Sequence, residues 1–235
     1  MTTGGATTTG GTARYAARGV DLVKVYRTRA SVVRALDRVD IDVPTGTIVA
    51  VFGPSGSGKS SLARILAAID LPDGGELSID GANAGQLRPK ARRKLRSGKI
   101  GYVFADPAHN LLPYLDSVEH IELALRMRGA KARSDHKLRA LESLGLGHRL
   151  HHRPFMLSGG EQQRLAVACA IAGAPSIVVL DEPTAELDRS SGTVLLEHVT
   201  NLRSEGTTFV ISSHDRAVAE IADEVVELRR GTRVR

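Results

Sequence analysis

Thr47-Ile48-Val49-Ala50-Val51-Phe52-Gly53-Pro54-Ser55-Gly56-Ser57-Gly58-Lys59-Ser60 runs from a nearly all-apolar hexapeptide straight into a glycine-rich turn that ends on a lysine and a serine. A hexapeptide with so little polar alternation suits a strand covered on both faces. The turn that follows matches the phosphate-binding pattern G-x-x-x-x-G-K-S in full, in the required context of strand before and helix after. Glycines there let backbone N–H groups turn inward around phosphate oxygens, and the start of the next helix adds favourable partial positive charge. Gly53, Pro54, Ser55, Gly56, Ser57, Gly58, Lys59, Ser60 and Ser61 are therefore the candidate nucleotide contacts. Lys59 is placed to reach the β- and γ-phosphates of ATP, and Ser60 to set its hydroxyl on Mg²⁺.

Outward from this loop, short β-type runs bounded by turn signals alternate with longer helical patterns, which predicts an α/β fold with a mostly parallel sheet. Val20–Tyr26, Val32–Arg34 and Arg38–Val43 are close-set alternating runs that end at Pro44-Thr45-Gly46, so a small antiparallel β region is expected first. Buried strands are expected at Ile100–Phe104, Ile177–Leu180 and Thr207–Ser212, each with a polar cluster at its C-terminal end, where such sheets place ligands. Between Pro107 and Pro154 the spacing is helical, notably over Asp116–Arg128 and Asp135–Leu144. The expected organisation is a disordered tail over 1–18 and one ATPase domain over 19–235, with a helical subdomain inserted at about 107–160.

Composition narrows the setting. The chain has 235 residues, 42% of them hydrophobic, enough for one substantial core. No run of eighteen apolar residues occurs, so a membrane role would have to come through a partner. The Thr-, Gly- and Ala-rich start lacks the apolar stretch of a secretory signal, and the lone Cys169 gives no disulfide framework and suits a reducing cytoplasm. The densest basic stretch, Arg88–Lys99, reads as a solvated helix face. Aromatic residues are 3% of the chain with no Trp, so the stacking surfaces of single-strand binders are missing and no nucleic-acid partner is expected.

Ile177-Val178-Val179-Leu180-Asp181-Glu182 sets two adjacent acids at the end of an apolar strand, where neighbouring side chains point in opposite directions. Different jobs follow for the two. Asp181 fits a carboxylate that holds Mg²⁺ directly or through water, and Glu182 fits the base that orients and deprotonates an attacking water.

Leu157-Ser158-Gly159-Gly160-Glu161-Gln162-Gln163 matches the signature of ABC ATPases, and with the two nucleotide motifs in the same order the chain resembles that family over roughly Val20 to Arg230. The resemblance implies a dimer in which the signature of one subunit closes on the ATP held by the phosphate loop of the other. The chemistry of Ser158, Gly159 and Gly160 agrees, since a hydroxyl, unobstructed N–H groups and a helix start near Glu161 suit a phosphate. Ser212-Ser213-His214-Asp215 resembles the family's switch histidine, which makes His214 the γ-phosphate contact. Ala185-Glu186-Leu187-Asp188 resembles the interface-crossing D-loop, with Asp188 its matching acid, and Tyr26 aligns with the adenine-stacking aromatic.

Gly101-Tyr102-Val103-Phe104-Ala105-Asp106 departs from the family, which carries a glutamine where this chain has Ala105. Alanine has neither donor nor acceptor. Either Asp106, His109, Asn110 or a water substitutes, or hydrolysis is slower and coupling looser, or the residue was altered deliberately. Asn110-Leu111-Leu112-Pro113 resembles the lipoprotein-releasing (LolD), macrolide-exporting (MacB) and FtsE-type subgroup. The resemblance thus implies an ATP-hydrolysing subunit, a homodimer or paired ABC subunit, acting on a separate transmembrane permease at the inner face of the membrane. The alternative is an ATP-gated regulatory clamp with weak hydrolysis, for which Ala105 is the support. A soluble ABC protein of translation or DNA repair would carry two cassettes or a long coiled-coil insert, and neither is present.

Overall fold

The computed structural model describes residues 14–27, 31–130 and 134–234. In chain order its strands are β1 (Tyr15–Arg27), β2 (Val32–Pro44), β3 (Ile48–Phe52), β4 (Gly74–Ile79), β5 (Ala82–Asn83), β6 (Ile100–Val103), β7 (Ile177–Asp181), β8 (Phe209–Ser213), β9 (Glu224–Arg229) and β10 (Thr232–Arg233). The helices are α1 (Lys59–Leu66), α2 (Pro89–Lys99), α3 (Ser117–Met127), α4 (Ser134–Glu142), α5 (Gly159–Ile171), α6 (Arg189–Ser204) and α7 (Arg216–Ile221). Single 3₁₀ turns occupy Pro107–His109 and Pro154–Met156.

Two sheets result. β2-β1-β4-β5 form an antiparallel sheet, and β10-β9-β3-β8-β7-β6 form a second sheet that is parallel except for the β9–β10 hairpin. The apolar runs of the parallel strands follow from burial on both faces. Ile48 and Ala50 of β3, Val178 and Leu180 of β7, and Phe209 and Ile211 of β8 join the core shared with α3 to α6. Val49, Val51, Ile177, Val179 and Val210 point the other way, into the core that holds α1 and the antiparallel sheet. Fully burying a Leu, Ile or Phe contributes about 1.5–3 kcal/mol each, so a polar residue on either face of these strands would be costly.

The buried parallel strands expected from the sequence are present with ends moved by a residue or two, whereas Val32–Arg34 and Arg38–Val43 are parts of the one strand β2 and the run from Val20 begins five residues earlier as β1. The tail is different. β1 starts at Tyr15, so residues 15–18 are strand and not the end of a disordered segment. Ala16 and Ala17 are buried, and Ala17 pairs with Val43 of β2 and Ile79 of β4, a contact that a run of small residues hides from composition. Residues 1–13 lie outside the described residues.

Helix ends are set locally. Asp116 accepts the Glu119 N–H at 2.8 Å while the Glu119 carboxylate accepts the Asp116 N–H at 2.8 Å, a reciprocal cap that starts α3. Ser158 and Glu161 start α5 in the same way. The basic stretch Arg88–Lys99 supplies α2 from Pro89 onward, with Arg88 at the cap position, and the helix buries none of its residues.

Candidate functional site

Parallel pairing brings the ends of three strands to one edge. Asp181 at the end of β7 stands opposite Ser212 of β8, and Phe52 at the end of β3 stands opposite Ser213. The Asp181 carboxylate is almost fully buried. Its Oδ1 accepts the Ser60 hydroxyl at 3.0 Å and the Ser212 hydroxyl at 2.5 Å, and its Oδ2 accepts the Tyr102 hydroxyl at 3.2 Å. Burial, then the neighbouring Asp181 charge, pushes the Tyr102 hydroxyl well above its ordinary value, which keeps its proton in place to donate.

Glu182 follows in a left-handed backbone conformation, φ +47°, which is unusual for a residue with a Cβ. Its N–H donates to the Ser212 carbonyl at 2.9 Å and lies 3.1 Å from the Ser212 hydroxyl. That turn aims the carboxylate between two cations or would-be cations. Lys59 Nζ lies 3.1 Å from Glu182 Oε1, and His214 Nδ1 lies 3.0 Å from Oε2. Strain of this kind, held by surrounding contacts, is typical of places where a side chain must be aimed.

The loop between β3 and α1 has the features of an anion cradle. Lys59, only 4% exposed, opens α1 and donates to the Pro54 carbonyl at 3.1 Å. Gly58 sits at φ +105°, and a Cβ there would lie 2.3 Å from the Ala35 carbonyl oxygen, so the loop is threaded against β2 as only glycine allows. The Ser57 hydroxyl is buried and has no hydrogen-bond partner among the described residues. A buried ammonium, an orphaned hydroxyl and the N-terminus of α1 together fit a polyphosphate. The hydroxyl and carboxylate of Ser60 and Asp181 are hard oxygen donors that fit Mg²⁺.

Ser158, Gly159, Gly160 and Asp188 make a separate cluster. Helix α5 starts at Gly159, two residues earlier than the sequence pattern indicated, with Ser158 as its cap. Gly160 packs so closely on Ser191 that a Cβ would come within 2.9 Å of that side chain. Asp188 caps α6, and hydrogen bonds from Ser190 and then Ser191 hold its carboxyl well below the usual range. Burial pushes the Glu161 carboxyl up, but the Ser158 N–H and Arg149 outweigh it and hold the group at about 2. Among the described residues no hydrogen bond or ion pair joins this cluster to Lys59 or Ser60.

The family model described as ABC transporter covers residues 36–185, more than half of the chain. The chain belongs to the ABC transporter family.

Within the family, the lipoprotein-releasing system ATP-binding protein LolD 2 of Caulobacter vibrioides is 40% identical over 220 residues, covering 92% of this chain and 94% of the relative. The macrolide export ATP-binding/permease protein MacB of Hyphomonas neptunium is 39% identical over 90% of this chain, which spans 33% of that longer relative. The dimeric structure of a post-hydrolysis state of the ATP-binding cassette MJ0796 bound to ADP and Pi superposes with a TM-score of 0.84 at 33% identity, covering 93% of this chain and 97% of that one. This ABC chain is thus an ATP-binding subunit with ATPase activity, and a clamp that barely hydrolyses is the less favoured reading.

Tyr26 sits on β1 with its side chain exposed. Its hydroxyl donates to Asp70 Oδ2 at 3.3 Å, and Lys24 Nζ lies 5.5 Å from the ring centre. The loop carrying Ala105 is closed on itself. Asn110 accepts the Phe104 N–H at 2.8 Å and donates to the Phe104 and Asp106 carbonyls at 3.0 and 3.1 Å. Asp106 accepts the Ala108 N–H at 2.8 Å and lies 3.5 Å from His109 Nδ1. The residues weighed as substitutes for glutamine are therefore engaged in holding the loop. Tyr102 and Ser212 reach Asp181 instead, and the sequence reading assigned neither a role. Each is a hydroxyl residue in a strand beside β7, an adjacency that only the strand order supplies.

Proposed function

We propose that Lys59, Ser60, Asp181, Glu182 and His214 form one half of a Mg·ATP-hydrolysing site that Ser158, Gly159, Gly160 and Asp188 of a second copy complete. The observation that carries this reading is the convergence on one sheet edge of two linked groups, Lys59–Glu182–His214 and Ser60–Asp181–Ser212.

The resting contacts indicate the order of events. Lys59 is paired with Glu182, so an arriving triphosphate competes for its ammonium. Once Lys59 turns to the β- and γ-phosphates, Glu182 is free to orient a water and take its proton. His214, on the other oxygen of the same carboxylate, keeps Glu182 aimed and is placed to contact the γ-phosphate. Ser60 and Asp181 would hold Mg²⁺, which when bound would supply neutralisation of the phosphate charge. Tyr26 stacks on the adenine, and the backbone from Gly53 to Ser61 wraps the phosphates.

Partner and place follow from the relatives' descriptions and from the chain's own surface. One relative joins an ATP-binding part to a permease in a single chain. No helix among the described residues here is long and apolar enough to cross a membrane. We read this subunit as acting peripherally, at the inner face of the membrane, on a separate transmembrane permease. The lipoprotein-releasing and macrolide-export relatives give two candidate systems.

Calorimetry with ATP in EDTA and in Mg²⁺, together with light scattering of Glu182→Gln under Mg·ATP, tests the site. Binding that is lost in Lys59→Ala and a doubling of mass with Mg·ATP are the expected results. Wild-type affinity in Lys59→Ala, or a mass that stays monomeric at saturating nucleotide, would overturn the composite-site reading.

A further inference from the structure

We propose that Tyr102 is a positioning residue for Asp181, its hydroxyl anchoring the carboxylate oxygen that the serines leave free. This rests on reading Asp181 as the Mg²⁺ carboxylate. Oδ1 of Asp181 is taken by Ser60 and Ser212, whereas Oδ2 receives Tyr102. The geometry is built into the sheet. β6 runs parallel to β7 with Tyr102 opposite Val179, two residues before Asp181. Two residues of strand span roughly 6.6 Å, about the length of a tyrosine side chain, so the ring lying along the strand brings its hydroxyl level with the carboxylate.

The ring is held in that pose. It meets Phe104 edge to face at 4.8 Å and packs against the core beneath the antiparallel sheet. Phenylalanine at this position would keep those contacts and lose one donor. The loop after β6 supplies no replacement, because Ala105 has no polar side chain while Asp106 and Asn110 hold the loop itself. When Ser60 turns to the metal, Ser212 on one oxygen and Tyr102 on the other fix the rotation of the carboxylate plane. Without Tyr102 that plane is free to rotate, and Ser60 and Asp181 present a less ordered pair of oxygens.

The test compares wild type, Tyr102→Phe and Asp181→Asn. Binding of a fluorescent ATP analogue is titrated in EDTA and across a Mg²⁺ series, with turnover read on the same series and melting curves run in parallel. One lost hydrogen bond of ordinary strength corresponds to about a three- to tenfold change. Tyr102→Phe is expected to bind nucleotide in EDTA like wild type and to need about three- to tenfold more Mg²⁺ for half-maximal tightening. A role in packing alone would leave the Mg²⁺ midpoint of Tyr102→Phe at its wild-type value, because phenylalanine keeps the ring's contacts, and that outcome overturns the proposal. If Tyr102→Phe fails to fold, Tyr102→Leu fills the same slot without a hydroxyl and carries the same expectation. Loss of the Mg²⁺ response in Asp181→Asn with a wild-type midpoint in Tyr102→Phe sinks the role of Tyr102 alone. A wild-type response in Asp181→Asn sinks the metal assignment beneath it.

Discussion

Lys59 and Glu182 hold each other: the ammonium that would grip a triphosphate lies 3.1 Å from the carboxylate that would activate the water, and both groups are largely buried. A buried pair that loses one charge leaves the other uncompensated. In Glu182→Gln the Lys59 ammonium lacks its resting partner, so phosphate oxygens become its best one. That variant is expected to melt lower than wild type without nucleotide, to gain more from ATP, and to hydrolyse about a hundredfold to ten-thousandfold more slowly. Differential scanning fluorimetry with and without ATP, alongside phosphate release, reads all three. Near wild-type turnover would remove Glu182 from the mechanism.

Gly58→Ala introduces both a left-handed alanine and a clash with the Ala35 carbonyl. Backbone strain of this kind costs about 1–3 kcal/mol, and each kcal/mol lowers the melting temperature of a chain this size by roughly 2–4 °C. Gly56 also has positive φ, but nothing lies within 4 Å of a Cβ there. Gly56→Ala is therefore expected to lose less stability than Gly58→Ala. Equal melting shifts would show that β2 yields to the added methyl.

Ala105→Gln restores a donor and an acceptor where the family carries them. Because Asn110 pins Phe104 and Asp106 on either side, the loop keeps its course in this variant. Turnover is expected to rise, or the Mg²⁺ requirement to fall, as read by phosphate release across a Mg²⁺ series. No change in either would show that the contacts already present compensate for alanine. Adding Asn110→Ala is expected to erase any gain by releasing the loop.

His120 gives the protein an acid limit. Its Nε2 accepts the Leu112 N–H at 2.8 Å and its Nδ1 lies 2.7 Å from the Asp116 carbonyl, an arrangement that requires the neutral ring. Burial lowers its pKa from the ordinary 6.5, against the opposing pull of Asp116 and Glu119. The folded state thus binds the proton less readily than the unfolded chain, so stability is complete above 6.5 and falls as the pH drops from there towards the folded value. His198, lowered by burial and then by Arg164, adds in the same direction. Melting temperatures from pH 7.5 to 5.5 should fall for wild type and fall less for His120→Gln. Parallel curves would take His120 out of the acid response.

The phosphate loop, the acids after β7 and the cap of α5 were legible because each couples an unusual residue pattern to a definite local geometry. The core strands were legible because both faces are buried, which removes polar alternation. Strands β4 and β9 were not, since β4 opens on Gly74-Gly75, which reads as a turn, and β9 interleaves glutamates with its two buried residues, Val226 and Leu228. Tyr15 to Arg18 were hidden by small side chains whose burial depends on the partner strands. The contacts of Tyr102 and Ser212 with Asp181 needed strand order and register, because neither residue is near Asp181 in sequence.

Because no bond among the described residues joins the Lys59 cluster to the Ser158 cluster, the proposed composite site would make catalytic competence a property of pairs of chains. A chain defective at Lys59 still offers a sound signature, and a chain defective at Ser158 still offers a sound phosphate loop. On that reading each alone is expected to be inert, whereas an equal mixture of the two would yield heterodimers with one intact pocket and one doubly damaged pocket, so activity is expected to return only on mixing.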